Sequence, residues 1–357
     1  MTGRKVAPTL GWAAALRIPM NLTIPTRIVL GVLIGLCLLS CSRRAKIAPA
    51  NMASVPSAPP TWTNMSATLT MTTSQPATEL GNTISTSSST TKSVSPNKSA
   101  GCGLIKSSKG DLHLSTTDGR GDTRDIEVLV PSTYAPNNPL ALTFFFHGRG
   151  GSEEDAKAVG LQNVSGATNT SIFAFPQGVN YGSHGVGWDD TCAGYDMVLF
   201  DHMVSAIEGA YCIDTKRVFV AGFSWGCDFV TALACCRGNS IRAVAAASCS
   251  DEFTDPANYT TYANYPCPTT HAAGIRFTHD ASAMGDGPYS GVQFASTRRL
   301  YQALNGCSAN ATSTAPAPCV SYQNCTQPLI ECAYGGLGHG LPSTFAADTW
   351  AFFSSFR

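Results

Sequence analysis

The sequence predicts an α/β fold: a mostly parallel central sheet with helices on both faces, supported by disulfides. Two observations carry that prediction. From Gly101 onward, apolar runs of β character alternate with stretches of helical periodicity. One run, Arg217-Val218-Phe219-Val220-Ala221, leads through Gly222-Phe223-Ser224-Trp225-Gly226 directly into a helical stretch, Trp225 to Cys236. Strands joined through helices are parallel and covered on both sides.

Composition sets the outer limits. With 357 residues and 43% hydrophobic residues, the chain suffices for one large domain or two modest ones. Charged residues make up 13%, against roughly 25% in average domains, and their sum is zero. Broad basic patches are thus excluded, and no nucleic-acid partner is expected. The zero is a sum of unequal parts, because residues 101–357 hold 14 Lys or Arg against 22 Asp or Glu. An acidic domain favours neutral substrates over polyanions.

At the N-terminus, Arg27 precedes an apolar run, Ile28 to Leu39, of signal-peptide length and too short to span a membrane. Leu38-Leu39-Ser40-Cys41 has the form of a lipobox, so residues 1–41 are expected to be a lipoprotein-type signal. A lipidated Cys41 would attach the exported chain to a membrane. Met20 offers a second start. In residues 42–100 the composition shifts: Ser and Thr supply 22 of the 50 residues from Asn51 to Ala100, with five prolines and three charges. Such a stretch buries too little apolar surface to offset its ordering entropy and is expected to be a flexible tether.

The folded domain is assigned to residues 101–357. Its predicted strands are Asp125–Val130, Leu140–Phe146, Ile172–Phe175, Val218–Ala221, Ala243–Ala247, Ile275–Thr278 and Leu329–Tyr334. Helices are predicted over Asp196–Tyr211, where Phe200, Met203, Val204 and Ile207 share a face, and over Trp225–Cys236, Val292–Asn305 and Phe345–Phe356.

Gly-x-Ser-x-Gly between strand and helix is the setting of a serine nucleophile. Small residues on either side allow a sharp turn that lifts Ser224 Oγ clear and aims helix N-terminal N–H groups at a developing oxyanion. Upstream, Leu142-Thr143-Phe144-Phe145-Phe146 runs into His147-Gly148-Arg149-Gly150-Gly151. The backbone N–H groups of Arg149 and Trp225 are the expected oxyanion hole, and His147 is read as a loop brace. The expected general base is His339, in the glycine-rich loop Gly335-Gly336-Leu337-Gly338-His339-Gly340 after the last strand. His113, His184, His202, His271 and His279 lack that position. The acid stays open: Asp286, flanked by glycines, is preferred to Asp280, which lies almost on its strand end, with Asp251 and Glu252 as outside candidates. No metal or cofactor is expected.

These residues resemble the secreted α/β-hydrolases related to polyhydroxybutyrate depolymerases and to feruloyl and acetylxylan esterases. The resemblance rests on the 147–151 loop, Phe175-Pro176-Gln177-Gly178, Gly187-Trp188-Asp189, Tyr211-Cys212-Ile213-Asp214, the serine turn, Asn305-Gly306-Cys307 and Gly338-His339. It implies a Ser-Asp-His triad, disulfide support, and ester bonds of plant-wall carbohydrates or polyesters as substrate. Two features depart from the family. Trp225, Gly226 and Cys227 replace Asn-Gly-Gly after the serine, and Gly340 and Leu341 stand where a tryptophan often follows the histidine. Trp188 and Trp225 are candidates for an aromatic wall against substrate. A serine peptidase of the same fold and an inactive module binding a wall polysaccharide are the competing readings.

Fourteen cysteines without Cys-x-x-Cys pairs point to an oxidising compartment. Twelve remain beyond Cys41, an even number. Cys307, Cys319, Cys325 and Cys332 are placed to pin the loop carrying His339. Of the adjacent Cys235 and Cys236, one is expected to be a buried thiol.

Overall fold

A computed structural model describes residues 70–71, 97–105, 108–249, 261–262, 265–268, 273–282 and 291–356. All lie within one compact unit, Trp62–Arg357. In chain order the strands are β1 (Thr70–Met71), β2 (Gly110–Thr117), β3 (Thr123–Val130), β4 (Leu140–Phe146), β5 (Ser171–Pro176), β6 (Val179–Asn180), β7 (Val186–Gly187), β8 (Ile213–Phe223), β9 (Ala243–Ala247), β10 (Thr261–Tyr262), β11 (Tyr265–Pro266), β12 (Gly274–Asp280), β13 (Ala311–Ser313), β14 (Cys319–Tyr322) and β15 (Leu329–Tyr334). The α-helices are α1 (Glu153–Ala158), α2 (Tyr195–Ala210), α3 (Trp225–Cys236), α4 (Gly291–Leu304) and α5 (Phe345–Ser354).

Eleven strands form one sheet in the order β1-β2-β3-β5-β4-β8-β9-β12-β15-β14-β13. The six from β5 to β15 in that order run parallel. Antiparallel strands extend the sheet at both edges. Ser224 follows the last residue of β8, near the middle, and the His339 loop follows β15.

Alternation along the strands divides the core into two. On β4 and β8, Leu142, Phe144, Phe146, Val218 and Val220 join the cluster with Phe200 of α2, Phe229 of α3 and Tyr301 of α4. Ala141, Phe145, Phe219 and Ala221 face the other way, onto Ala156 of α1 and Phe353 of α5. The central strands are buried on both faces, which is why they read as continuous apolar runs rather than alternating ones.

Every strand and helix predicted from sequence is present, with ends moved by a few residues. Strand β2 escaped prediction because Gly110–Thr117 mixes Asp, His, Ser and Thr and exposes one side. The hairpin β13–β14 is short and polar. Helix α1 has only six residues, yet Ser152 and Asp155 close a reciprocal capping box at its start. The fold also begins earlier than the assigned tether ends. Thr70 and Met71 pair with Ser115 and Leu114, and Ser99 donates to the Tyr211 carbonyl at 2.6 Å and accepts from Ile213 N–H at 2.9 Å. The signal segment and Cys41 lie outside the described residues.

Six disulfides join Cys102–Cys212, Cys192–Cys236, Cys227–Cys249, Cys235–Cys267, Cys307–Cys325 and Cys319–Cys332. This corrects the expectation of a free thiol at Cys235 or Cys236. Successive residues of a helix point about 100° apart, so the neighbours at the end of α3 reach different loops. No helix of the described residues is long and apolar enough to cross a membrane.

Phe353 is fully buried and stacks on Phe219 with ring centroids 4.7 Å apart. Phe353→Ala should therefore lower the unfolding free energy by about 3–5 kcal/mol, as large-to-small core changes do. Urea denaturation followed by tryptophan fluorescence measures it.

Candidate active site

The sharp turn at Ser224 follows from steric exclusion. Ser224 has φ +56° and ψ −125°, a conformation that costs a non-glycine residue on the order of 1–3 kcal/mol. Glycine on either side makes it possible. A Cβ on Gly222 would run into the Gly226 carbonyl, and one on Gly226 would run into the carbonyls of Phe146 and His147. Helix α3 thus starts in direct contact with the end of β4. Ser224 N–H donates to the Ala247 carbonyl at 3.0 Å, and the N–H groups of Cys227 and Asp228 donate to the Ser224 carbonyl at 2.7 and 3.1 Å.

His339 is exposed, and its Nε2 lies 2.8 Å from Ser224 Oγ. Its ring rests on Phe223, centroids 4.9 Å apart. Three attachments hold its loop. The Asp280 carboxylate accepts from Gly338 N–H at 2.7 Å and from Ser282 N–H at 2.7 Å. Ser248 Oγ donates to the Gly340 carbonyl at 3.0 Å. Cys319–Cys332 ties β15, just before the loop, to β14. Hydrogen bonds from Ser282, then from Gly338 and Leu337, bring the Asp280 pKa down to about 2.

Behind Asp280, buried His279 directs Nδ1 at the Asp280 carbonyl (2.7 Å) and Nε2 at Glu331 of β15 (3.0 Å). Tyr322 donates to the same carboxylate at 2.6 Å, and Arg298 faces it at 3.3 Å. Burial alone would raise the Glu331 pKa; the bonds from His279 and Tyr322 and the charge of Arg298 overcome it and hold Glu331 at about 2. His279 is therefore a buried residue that ties Asp280 to Glu331. Asp286, Asp251, Glu252 and His271 lie outside the described residues.

The loop 147–151 lies against the serine from the other side. A Cβ on Gly148 would meet Ser224 Cβ at 3.0 Å. Gly150 N–H donates to the Val186 carbonyl at 2.8 Å and Gly151 N–H to the Gly148 carbonyl at 3.1 Å. The N–H groups of Arg149 and Trp225 make no such bond to a carbonyl of the described residues. His147 braces this loop. Its Nε2 accepts from Gly178 N–H at 2.9 Å, so its proton sits on Nδ1, which donates to the Gly148 carbonyl at 2.7 Å. Burial holds this imidazole below its usual pKa and favours that neutral form.

The two tryptophans are placed differently. Trp188 is 1% exposed, packs between Phe146 and Phe229, and donates Nε1–H to the His147 carbonyl at 2.9 Å. It is core that supports the loop, and its indole is too enclosed to form a substrate wall. Trp225 is half-buried, lies over Gly187 of the β6–β7 hairpin, and meets Tyr181 at 5.4 Å.

That hairpin rests on a buried network that sequence reasoning missed. The Asp196 carboxylate accepts from Tyr181 OH (2.7 Å) and Asp189 N–H (2.7 Å) and pairs with Arg124, which also donates to the Gln177 carbonyl at 2.9 Å. Burial raises the Asp196 pKa against the pull of Arg124. The partners belong to β3, the hairpin and α2, so no local motif announces them.

No family model matches the chain. A probable feruloyl esterase C of Aspergillus niger is 28% identical over 284 residues, covering 73% of this chain and 93% of that protein. Feruloyl esterase C of Emericella nidulans is 30% identical over 251 residues, covering 64% of this chain and 83% of that protein. Among solved structures, the acetyl xylan esterase from Aspergillus awamori superposes with a TM-score of 0.54 at 16% identity, over 66% of this chain and 94% of that one. This last likeness concerns the fold, the α/β-hydrolase fold that the resemblance implied.

Asp280, depressed from an ordinary 3.8 to about 2, stabilises the folded chain fully above about pH 4, and that contribution is lost as pH falls through 2. In Asp280→Asn the stability change between pH 4 and pH 2 should flatten. Displacement of the His339 loop should lower kcat by up to ~100-fold. Denaturation against pH and steady-state kinetics measure the two effects.

Proposed function

Because the chain belongs to the feruloyl esterase family, we propose that it is an exported serine carboxylic-ester hydrolase whose machinery is Ser224, His339 and Asp286. The observation that carries the mechanism is the 2.8 Å hydrogen bond between Ser224 Oγ and His339 Nε2 at the strained turn. As Oγ attacks the ester carbonyl, His339 takes its proton, and the N–H groups of Arg149 and Trp225 receive the oxyanion. Collapse of the tetrahedral intermediate expels the alcohol, which His339 protonates. Water then attacks the acyl-enzyme by the same path and frees the acid.

Asp286 orients the imidazole in this reading. Asp280, the alternative acid, already has its carboxylate on the N–H groups of Ser282 and Gly338, which suits a loop anchor. The hydrogen-bonded serine and base argue against an inactive binding module. Six disulfides support export to an oxidising compartment. Lipid attachment rests on Leu38 to Cys41 alone.

For substrate, the half-buried indole of Trp225 beside the nucleophile favours an aromatic acyl group such as ferulate over acetyl or an aliphatic polyester. A panel of methyl ferulate, acetylated xylan and short-chain polyhydroxybutyrate, with a peptide control, tests this. Methyl ferulate should turn over fastest, and Ser224→Ala should lower its kcat by at least ~10⁴-fold. A Ser224→Ala enzyme with wild-type turnover would sink the proposal. Trp225→Ala should raise KM for methyl ferulate about tenfold, roughly the worth of one aromatic pair, with little change for acetyl esters. Asp286→Ala should cost about 10⁴-fold in kcat if it is the acid.

A further inference from the structure

Asn-x-Ser/Thr triplets stand at Asn97, Asn163, Asn169, Asn310 and Asn324 among the described residues, and all five asparagines are exposed. Asn21, Asn64 and Asn258 head further triplets outside the described residues. This pattern is the acceptor signal for N-linked glycans on surface loops of secreted proteins. The arrangement of the five in the fold gives them a common meaning.

The parallel strands have two ends, and Ser224 and His339 both follow strand C-termini. The five asparagines lie at the other end. Asn163 and Asn169 precede Ser171, the first residue of β5. The Asn97 carbonyl accepts from Thr215 N–H at 3.1 Å, and Lys98 bridges Asp214, both beside the start of β8. Strand β14 runs antiparallel to β15 with Ser321 opposite Ile330, so the chain beyond Tyr322, with Asn324, emerges where β15 begins. Strand β13 reverses again with Ala311 opposite Tyr322, which returns Asn310 to the same end.

We propose that these five asparagines are N-glycosylation sites, and that their placement confines the glycans to the end of the sheet opposite the serine. In each transfer the amide Nδ2 displaces a lipid-linked diphosphate from the anomeric carbon of the sugar donor, loses one proton and keeps the oligosaccharide. The donor is a lipid-diphosphate oligosaccharide in the lumen of a secretory pathway. Glycans are bulky and solubilising. At the strand-start end they hydrate one pole and leave the catalytic pole bare to meet a polymer. The inference rests on the proposed export of the chain; processing at Cys41 as a bacterial lipoprotein would leave the asparagines unmodified.

Glycopeptide mass spectrometry of the exported full chain from its native source, with enzymatic glycan release in heavy-oxygen water, reads each site. Heavy-oxygen aspartate at two or more of the five positions is expected; modification at one or none overturns the proposal. The facing is tested by hydrolysis of insoluble feruloylated xylan before and after glycan release. A change within threefold is expected, and a larger gain on release overturns the facing. As a converse, Gly182→Asn with His184→Thr places a triplet on the β6–β7 hairpin beside the site. It should lower polymer hydrolysis at least tenfold and leave methyl ferulate within threefold; unaltered polymer hydrolysis with that asparagine occupied overturns the facing. Loss of all Ser224-dependent turnover would defeat the esterase reading and leave the glycopeptide result to decide this one.

Discussion

The structure turns on how closely α3 meets the end of β4. At Gly226 the helix backbone sits against the carbonyls of Phe146 and His147, with no room for even a methyl group. That contact draws the helix start over the sheet and forces Ser224 into its positive φ. It also leaves the N–H of Trp225 near the loop that leaves β4. Ser224, the start of α3 and the loop after β4 are therefore set by one packing event. The stabilisation that tolerates the strain comes from elsewhere, from two apolar clusters on either face of the sheet.

The two flanks of the serine are secured by different chemistry. On the side of the 147–151 loop, His147 is held neutral by burial and completes a chain of backbone bonds through Gly148 and Gly178. Next to it, the Arg124–Asp196 pair is enclosed and fully engaged by Tyr181, Asp189 and Gln177, as buried charges must be. On the His339 side the anchors are Asp280 and Glu331, both held ionised by donors, together with a disulfide and Ser248. His339 is thus carried by a loop anchored to carboxylates of β12 and β15 that keep their charge through the working pH range.

Much of this was legible in the sequence, because it depends on neighbours along the chain. The run β9 is apolar over its whole length and β4 and β15 are apolar but for Thr143 and Glu331, and Gly-x-Ser-x-Gly between strand and helix marks a sharp turn. His339 could be picked from seven histidines by its position after the last strand. What stayed hidden depends on residues far apart in sequence. Trp188 and Trp225 look alike in a string of letters, yet one is sealed between Phe146 and Phe229 and the other lies over the hairpin. Arg124 and Asp196 are 72 positions apart, and nothing local marks either as buried. For Cys235 and Cys236, adjacency hides the fact that a helix separates its neighbours. Asp280 shows the converse, a residue found by sequence whose bonds suggest a different task from the one that drew attention to it.

The hairpin at the far edge of the sheet has a further consequence. A large sheet that ends in an open strand invites another chain to add to it. Here the terminal strand, β13, is three residues long with all three exposed, and the segment after it contains Pro316 and Pro318. Proline lacks the N–H that a newcomer would need. A three-residue exposed edge offers an incoming strand few hydrogen bonds, so the hairpin that completes the sheet is also a poor template for extending it.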